Sequence, residues 1–192
     1  YDLVRRMDAV NVLIVTNRPA IANSWYDDFE KFIAGQTTYK FVSESDSLKY
    51  RPTLSRKEFV SILDDDVRQL AFISLQDLKG SAYLGGEHNK LKWVTDLHWD
   101  LLVIDEAHEG VATFKTDQAF NKIRRNFTLH LSGTPFKALA KGEFTEEQIY
   151  NWSYADEQAA KTTWSPEQEE ENPYGSLPQL NLFTYQMSQM IG

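Results

Sequence analysis

The chain has 192 residues, 42% of them hydrophobic, with 11 Phe, 9 Tyr and 5 Trp, enough for one cored domain with an appendage. It has no cysteine, which excludes disulfides and thiolate metal sites and fits a reducing cytoplasm. A net charge of −8 argues against nucleic-acid binding over the whole surface but leaves a local groove open, and without a signal peptide or an apolar run near the roughly 20 residues that span a bilayer no membrane partner is expected.

Residues 1–9 place Leu3, Val4 and Met7 at helical spacing, as in the tail of a helix. Residues 10–16 are mostly β-branched and aliphatic and predict a buried strand, followed by the polar loop Thr16-Asn17-Arg18-Pro19. Pro19 suits the first turn of a helix reaching about Ala34, with Ile21, Trp25, Phe29 and Phe32 or Ile33 on one stripe and Gly35 as its stop. A second short strand covers residues 39–43, and a polar loop covers residues 43–55. Ser55 and Glu58 have capping-box spacing at the start of a helix carrying Phe59, Ile62, Leu63 and Val67.

Residues 71–75 predict a third strand, leading into Gln76-Asp77-Leu78 and a loop over residues 80–89 with Gly85-Gly86. A weak helix spans residues 90–96, and a fourth strand follows. Helix is expected again over about 115–125, and a fifth strand over 127–131. Further helices are plausible near 136–141, 146–154 and 156–164. An acidic run (167–171), a Pro- and Gly-marked linker and a candidate strand at 180–185 close the chain. Alternation of aliphatic strands with helices predicts an α/β fold, a three-layer parallel sheet with helices on both faces.

The most informative stretch is residues 101–108, Leu-Leu-Val-Ile-Asp-Glu-Ala-His. Four aliphatic residues suit a strand buried on both faces. Asp105 and Glu106 then fall at its carboxyl end, where open α/β sheets place their ligand crevice. One of two adjacent carboxylates there can hold Mg²⁺, and the other can position or deprotonate a water. The second signal is Ser132-Gly133-Thr134-Pro135 after the fifth strand. Gly133 allows a tight turn and the two hydroxyls face the sheet edge. An ordinary turn with Thr134 as N-cap and Pro135 at the first helical position explains the same residues, and both readings can hold at once.

Together these residues resemble superfamily 2 helicases and translocases, whose first RecA-like P-loop NTPase lobe the order and spacing fit over about residues 1–140. Residues 12–16 with Arg18, Pro19 and Trp25 look like motif Ia. Residues 73–78 look like the strand and loop before motif II. Asp105-Glu106-Ala107-His108 is similar to motif II in its DEAH form, and Ser132-Gly133-Thr134 to motif III. The forms DEAHEG and SGTPF look most like the helicase subunits of type I and type III restriction systems.

The resemblance implies ATP and Mg²⁺ as cofactors. Asp105 would hold Mg²⁺, Glu106 would polarise the attacking water, and His108 would couple the nucleotide site to a second lobe. Ser132, Gly133 and Thr134 would link hydrolysis to movement. Arg18 and Asn17, with Ser74 and Gln76 on the same face, would touch nucleic acid. The implied partners are DNA, a second RecA-like lobe and a methyltransferase or specificity subunit. Beyond the lobe, residues 141–171 read as a helical and acidic extension, and 172–192 as a linker opening a second lobe.

One family feature is missing. None of the nine glycines is followed by lysine, so the phosphate-loop pattern G-x-x-x-x-G-K-[ST] is absent. Residues 1–9 look like the remainder of the helix that follows that loop. The expectation is therefore a lobe truncated at its N-terminus, inactive as a fragment and drawn from an active ATP hydrolase. Two rival readings stand beside it: a non-catalytic lobe that binds DNA or protein, and an RNA helicase lobe.

Other residues carry less. His88, His98 and His130 lack metal-ligand spacing, and His130 reads as a packed or edge histidine. Asp64-Asp65-Asp66 reads as a solvated helix end. Trp25 offers base stacking or, from its spacing with Ile21 and Phe29, core packing. Trp152, Tyr154 and Trp164 either pack an extension or meet another domain.

Overall fold

A computed structural model describes residues 1–105, 114–134, 139–140, 142, 144–165, 172 and 174–181. The chain divides into two compact units, Tyr1–Glu143 and Phe144–Gly192.

The first unit is built on a five-stranded sheet, every pair of which is parallel. Its strands are β1 (Asn11–Thr16), β2 (Tyr39–Val42), β3 (Arg68–Ser74), β4 (His98–Asp105) and β5 (Arg124–His130), in the spatial order β2-β3-β1-β4-β5. The helices are α1 (Asp2–Arg6), α2 (Ala22–Phe29), α3 (Arg56–Val60), α4 (Leu75–Gly80), α5 (Lys92–Asp96) and α6 (Phe114–Asn121). A 3₁₀ turn, Pro19–Ile21, leads into α2, and a π turn, Glu30–Ala34, continues it. This is the RecA-like α/β arrangement expected.

Alternate residues of the central strands face opposite ways and so divide between two cores. Val12, Ile14, Leu70, Phe72, Leu101 and Val103 pack with Ala22, Tyr26, Phe29 and Ile33 on one face. Leu13, Val15, Ala71, Ile73, Leu102 and Ile104 pack with Leu75, Leu78, Val94, Ala119 and Phe120 on the other. Helices therefore cover both faces, which is why β1, β3 and β4 read as near-continuous apolar runs. Among the described residues β5 is an edge strand, and its Phe127 is 61% exposed.

The amino edge of the sheet is tied by polar contacts. Asp100 Oδ2 accepts from the Val10 and Asn11 amides at 2.7 and 3.0 Å, joining β4 to the start of β1. Gln69 Nε2 donates to Asn11 Oδ1 at 2.6 Å, and Arg56 donates to Gln69 Oε1 at 2.9 Å. The Arg56 guanidinium also lies over the rings of Phe59 and Trp93, each at 5.4 Å.

Several elements differ from expectation. The capping box at Ser55 and Glu58 is present, but α3 ends at Val60, and Leu63 is wholly exposed. The Asp66 amide bonds to Asp64 Oδ1 and the Val67 amide to the Asp64 carbonyl. This local turn competes with helix, so the acidic triplet is a solvated turn and not a helix end. Gln76-Asp77-Leu78 belongs to α4 rather than a loop. The stripe along α2 runs through the buried Phe29 and Ile33, with Ile21 and Trp25 half-buried, and it also takes in Tyr26; Phe32, the alternative to Ile33, is 48% exposed. Arg124 and Arg125 open β5 instead of closing α6. Most of the helix expected near 136–141, the acidic run and most of the closing strand lie outside the described residues.

In the second unit a single 3₁₀ turn, Glu146–Gln148, replaces the helix expected over 146–154. A helix α7 (Tyr154–Thr163) follows, capped by Ser153 and Asp156. Tyr174 gathers Trp152 and Trp164, with ring centroids at 5.9 and 6.3 Å. The Lys161 ammonium donates to the Leu177 carbonyl at 2.7 Å. No helix among the described residues is long and apolar enough to cross a membrane.

Leu13→Ala should cost about 2–5 kcal/mol in urea unfolding, because it opens a cavity in a fully buried strand. Asp100→Ala should cost about 1.5–3 kcal/mol through two lost charge-assisted bonds. Leu63→Ser should stay within about 0.5 kcal/mol of the parent; a large loss there would mean that residues 61–67 pack as a helix after all.

Candidate active site

Parallel strands deliver their last residues to one edge of the sheet, and the register decides which of them meet. Thr16 pairs with Ser74 on one side and with Asp105 on the other. Ile104 pairs with His130, and the Leu131 amide donates to the Ile104 carbonyl at 2.9 Å. Ser132 therefore begins just beyond the level of Asp105. Asp105, the Ser132-Gly133-Thr134 run and the loop after Thr16 converge at the carboxyl ends of adjacent strands. Glu106 and His108 lie outside the described residues.

Asp105 is half-buried. Trp25 Nε1 donates to its Oδ2 at 2.8 Å. Spacing alone offers core packing or base stacking for Trp25. The structure packs its ring against the core and directs its N–H to the carboxylate. Trp25 is itself held by Tyr1, whose phenol donates to the Trp25 carbonyl at 2.6 Å and whose ring meets the indole edge-on at 5.8 Å. Burial, with a smaller effect from Asp28, raises the Tyr1 phenol above its ordinary pKa and keeps it a donor.

The loop after β1 is shaped by the buried Thr16, whose Oγ1 accepts from the Arg18 amide at 3.1 Å. Gln76 Nε2 donates to the Asn17 carbonyl at 3.0 Å, tying α4 to this loop. Arg18 and Gln76 are exposed, and Asn17 is half-buried. Ser74 differs from these three: it is 3% exposed and caps α4. Its hydroxyl accepts from the Asp77 amide at 3.0 Å and donates to Asp77 Oδ2 at 2.7 Å. Lys90 Nζ donates to Asp77 Oδ1 at 2.6 Å. Burial alone would raise the Asp77 carboxyl, but the bonds from Lys90 and Ser74, with the Lys90 charge, outweigh it and hold the group below its ordinary pKa.

In the run after β5, the Thr134 amide donates to Ser132 Oγ at 3.2 Å. Gly133 is exposed, is not among the residues with positive φ, and a Cβ built on it would meet nothing within 4 Å. The turn itself therefore does not require glycine at this position. Among the described residues no group of three or more His, Asp or Glu gathers as a metal cage. One carboxylate at a strand end, as Asp105 provides, still fits Mg²⁺, which keeps most of its waters and takes one or two carboxylates plus phosphate oxygens.

Trp25 and Thr16 both lie in the stretch that resembles motif Ia, but the motif assigns neither of them its contact here, with Asp105 and with the Arg18 amide. Nothing local marks the first, since its partner lies 80 residues away. For the second, the hint is a polar residue closing an apolar strand.

The family described as type III restriction enzyme, res subunit (ResIII), matches residues 1–137. A protein of Mycoplasma pneumoniae, provisionally described as the C-terminus of a type II restriction enzyme and methyltransferase, is 24% identical over 236 aligned residues. The match covers 99% of this chain and 30% of that relative, so the chain spans under a third of its length.

Ser74→Ala should destabilise the protein by about 0.5–2 kcal/mol, the usual cost of a lost N-cap, measured by chemical denaturation. The Asp77 carboxyl is lowered in the folded state, so its contribution is present above the unfolded carboxylate pKa and is lost as pH falls through the folded value. Asp77→Asn should therefore be less stable than the parent at neutral pH, and the gap should close on acidification. A gap that widens in acid would contradict the assignment.

Proposed function

Because the chain belongs to the ResIII family, that of the type III restriction enzyme res subunit, we propose that it is the first RecA-like lobe of an ATP-dependent helicase or translocase that moves along duplex DNA. The observation that carries this reading is the meeting of Asp105, the Ser132 run and the Arg18 loop at one edge of the sheet. Ligands of open α/β sheets bind at that edge.

Each residue then has a task. Asp105 would hold Mg²⁺ through water, and the chemistry supplied by that ion would be neutralisation of charge on the nucleotide phosphates. Glu106 would orient the attacking water and take its proton as the water oxygen bonds to the γ-phosphorus and the bond from that phosphorus to the ADP oxygen breaks. His108 couples the nucleotide site to a second RecA-like lobe, which supplies an arginine. Ser132, Gly133 and Thr134 transmit hydrolysis to the nucleic-acid contacts. Arg18 and Asn17 meet strand phosphates with Gln76 beside them, while Ser74 acts by holding α4 in place. Phosphate contacts of this kind position a strand without reading its sequence, and they need only a local patch, which reconciles DNA binding with a net charge of −8. The restriction and methyltransferase description of the relative supports DNA as the substrate and a methyltransferase or specificity subunit as a partner.

The test uses the full-length protein. ATP hydrolysis should be stimulated by duplex DNA more than by RNA, and Glu106→Gln should lower turnover about 10²–10⁴-fold, the range for a lost general base. Unchanged turnover in that variant would refute the assignment, and stimulation by RNA alone would favour an RNA-directed lobe. Residues 1–192 by themselves contain no phosphate-loop pattern and should hydrolyse no ATP. Magnesium-dependent turnover by this stretch, abolished by Glu106→Gln, would overturn that expectation.

A further inference from the structure

We infer that Trp25 is a positioning residue for the metal-binding carboxylate: its indole N–H fixes the orientation of Asp105. The inference rests on the reading of Asp105 as the residue that holds Mg²⁺.

An aspartate at the end of a strand turns about two side-chain bonds. As a carboxylate ligand it must point one way to receive a cation held mostly by water and phosphate. The Trp25 Nε1 bond to Oδ2, at 2.8 Å, selects one orientation and thereby sets where the rest of the carboxylate points. The donor is rigid. Its ring packs on the core and against the Tyr1 edge, and its carbonyl is held by the Tyr1 phenol. Its helix is anchored to the sheet by Ala22, Tyr26 and Phe29, each at most 5% exposed.

The choice of donor also matters. Indole donates one hydrogen bond and carries no charge. A lysine or arginine in its place would orient the carboxylate equally well but would neutralise it and repel a cation. A neutral N–H orients Asp105 and leaves its negative charge for the metal. Metal ligands are commonly oriented in this way by a hydrogen-bonding partner behind them, and loss of that partner costs about 10–100-fold in metal affinity or activity.

The experiment measures Mn²⁺ affinity by electron paramagnetic resonance in the presence of ADP, on the full-length protein and on the variants Trp25→Phe, Asp105→Asn and the double variant. Asp105→Asn should weaken Mn²⁺ strongly. Trp25→Phe, which keeps an aromatic ring and removes the donor, should weaken it about tenfold while ADP binding without metal stays at the parental level. The double variant should bind Mn²⁺ no worse than Asp105→Asn alone, because Trp25 acts through that carboxylate.

Parental Mn²⁺ affinity in Trp25→Phe, or an additive loss in the double variant, overturns the inference and leaves the role of Asp105 intact. Parental affinity in Asp105→Asn overturns the reading of Asp105 itself. If Trp25→Phe fails to fold, the contact is read from its other side. The Trp25 indole ¹H–¹⁵N resonance should move when diamagnetic Mg²⁺ is added to the ADP-bound parent and should differ between Asp105→Asn and the parent, and a resonance indifferent to Asp105→Asn overturns the inference.

Discussion

The register of β1 between β3 and β4 is the constraint on which the rest of the first unit depends. Both faces of these strands are apolar, so a slip by one residue would exchange Val12 and Ile14 for Leu13 and Val15 with little hydrophobic penalty. Alternation therefore cannot hold the register alone. The polar ends hold it. At the amino edge Asp100 accepts from the Val10 and Asn11 amides, and Gln69 meets Asn11. At the carboxyl edge the buried Thr16 closes β1 level with Ser74 and Asp105. Shifted by one, Thr16 and Asp105 would no longer stand side by side, and the site edge would lose its alignment.

That alignment is then elaborated by short polar links between elements. Ser74 ends β3 and starts α4 in a single residue, so the helix that carries Gln76 has no slack relative to the sheet. Gln76 in turn supports the loop that carries Arg18. On the other face of the same loop, the helical stretch that begins at Pro19 brings Trp25 to Asp105. The Arg18 loop and Asp105 are thus connected through one segment whose apolar side is seated on the sheet. In this arrangement the aliphatic core supplies rigidity, and a handful of side-chain bonds at its rim supply direction.

The sheet was legible because its physics is local. A run such as residues 101–104 has to be buried on both faces, and that limits it to a strand under two layers. The capping box at Ser55 was legible for the same reason, since Ser55 and Glu58 meet within one turn. The length of the helix after it was not. Ile62, Leu63 and Val67 have helical spacing, yet the Asp64 side chain captures a neighbouring amide and no sheet face is offered to Leu63. Apolar periodicity reports what a helix would bury, and only the tertiary surroundings decide whether anything is there to bury it.

The site divides along the same line. Asp105 at the end of an aliphatic strand, and the Ser132 run after another, follow from the order of residues, because parallel strands must present their carboxyl ends together. So does the assignment of the loop after Thr16 to that edge. The roles of Ser74 and Trp25 do not follow from residue order. Ser74 sits on the expected face but is turned inward as a helix cap. Trp25 sits on an apparent core stripe but sends its N–H to a carboxylate 80 residues away. The sequence by itself determined the layered fold and the edge where its chemistry is gathered, since both rest on burial patterns within single elements. Only the tertiary structure decided which polar atoms at that edge face outward and which hold the others in place, because a hydrogen bond between distant elements has no periodicity to read.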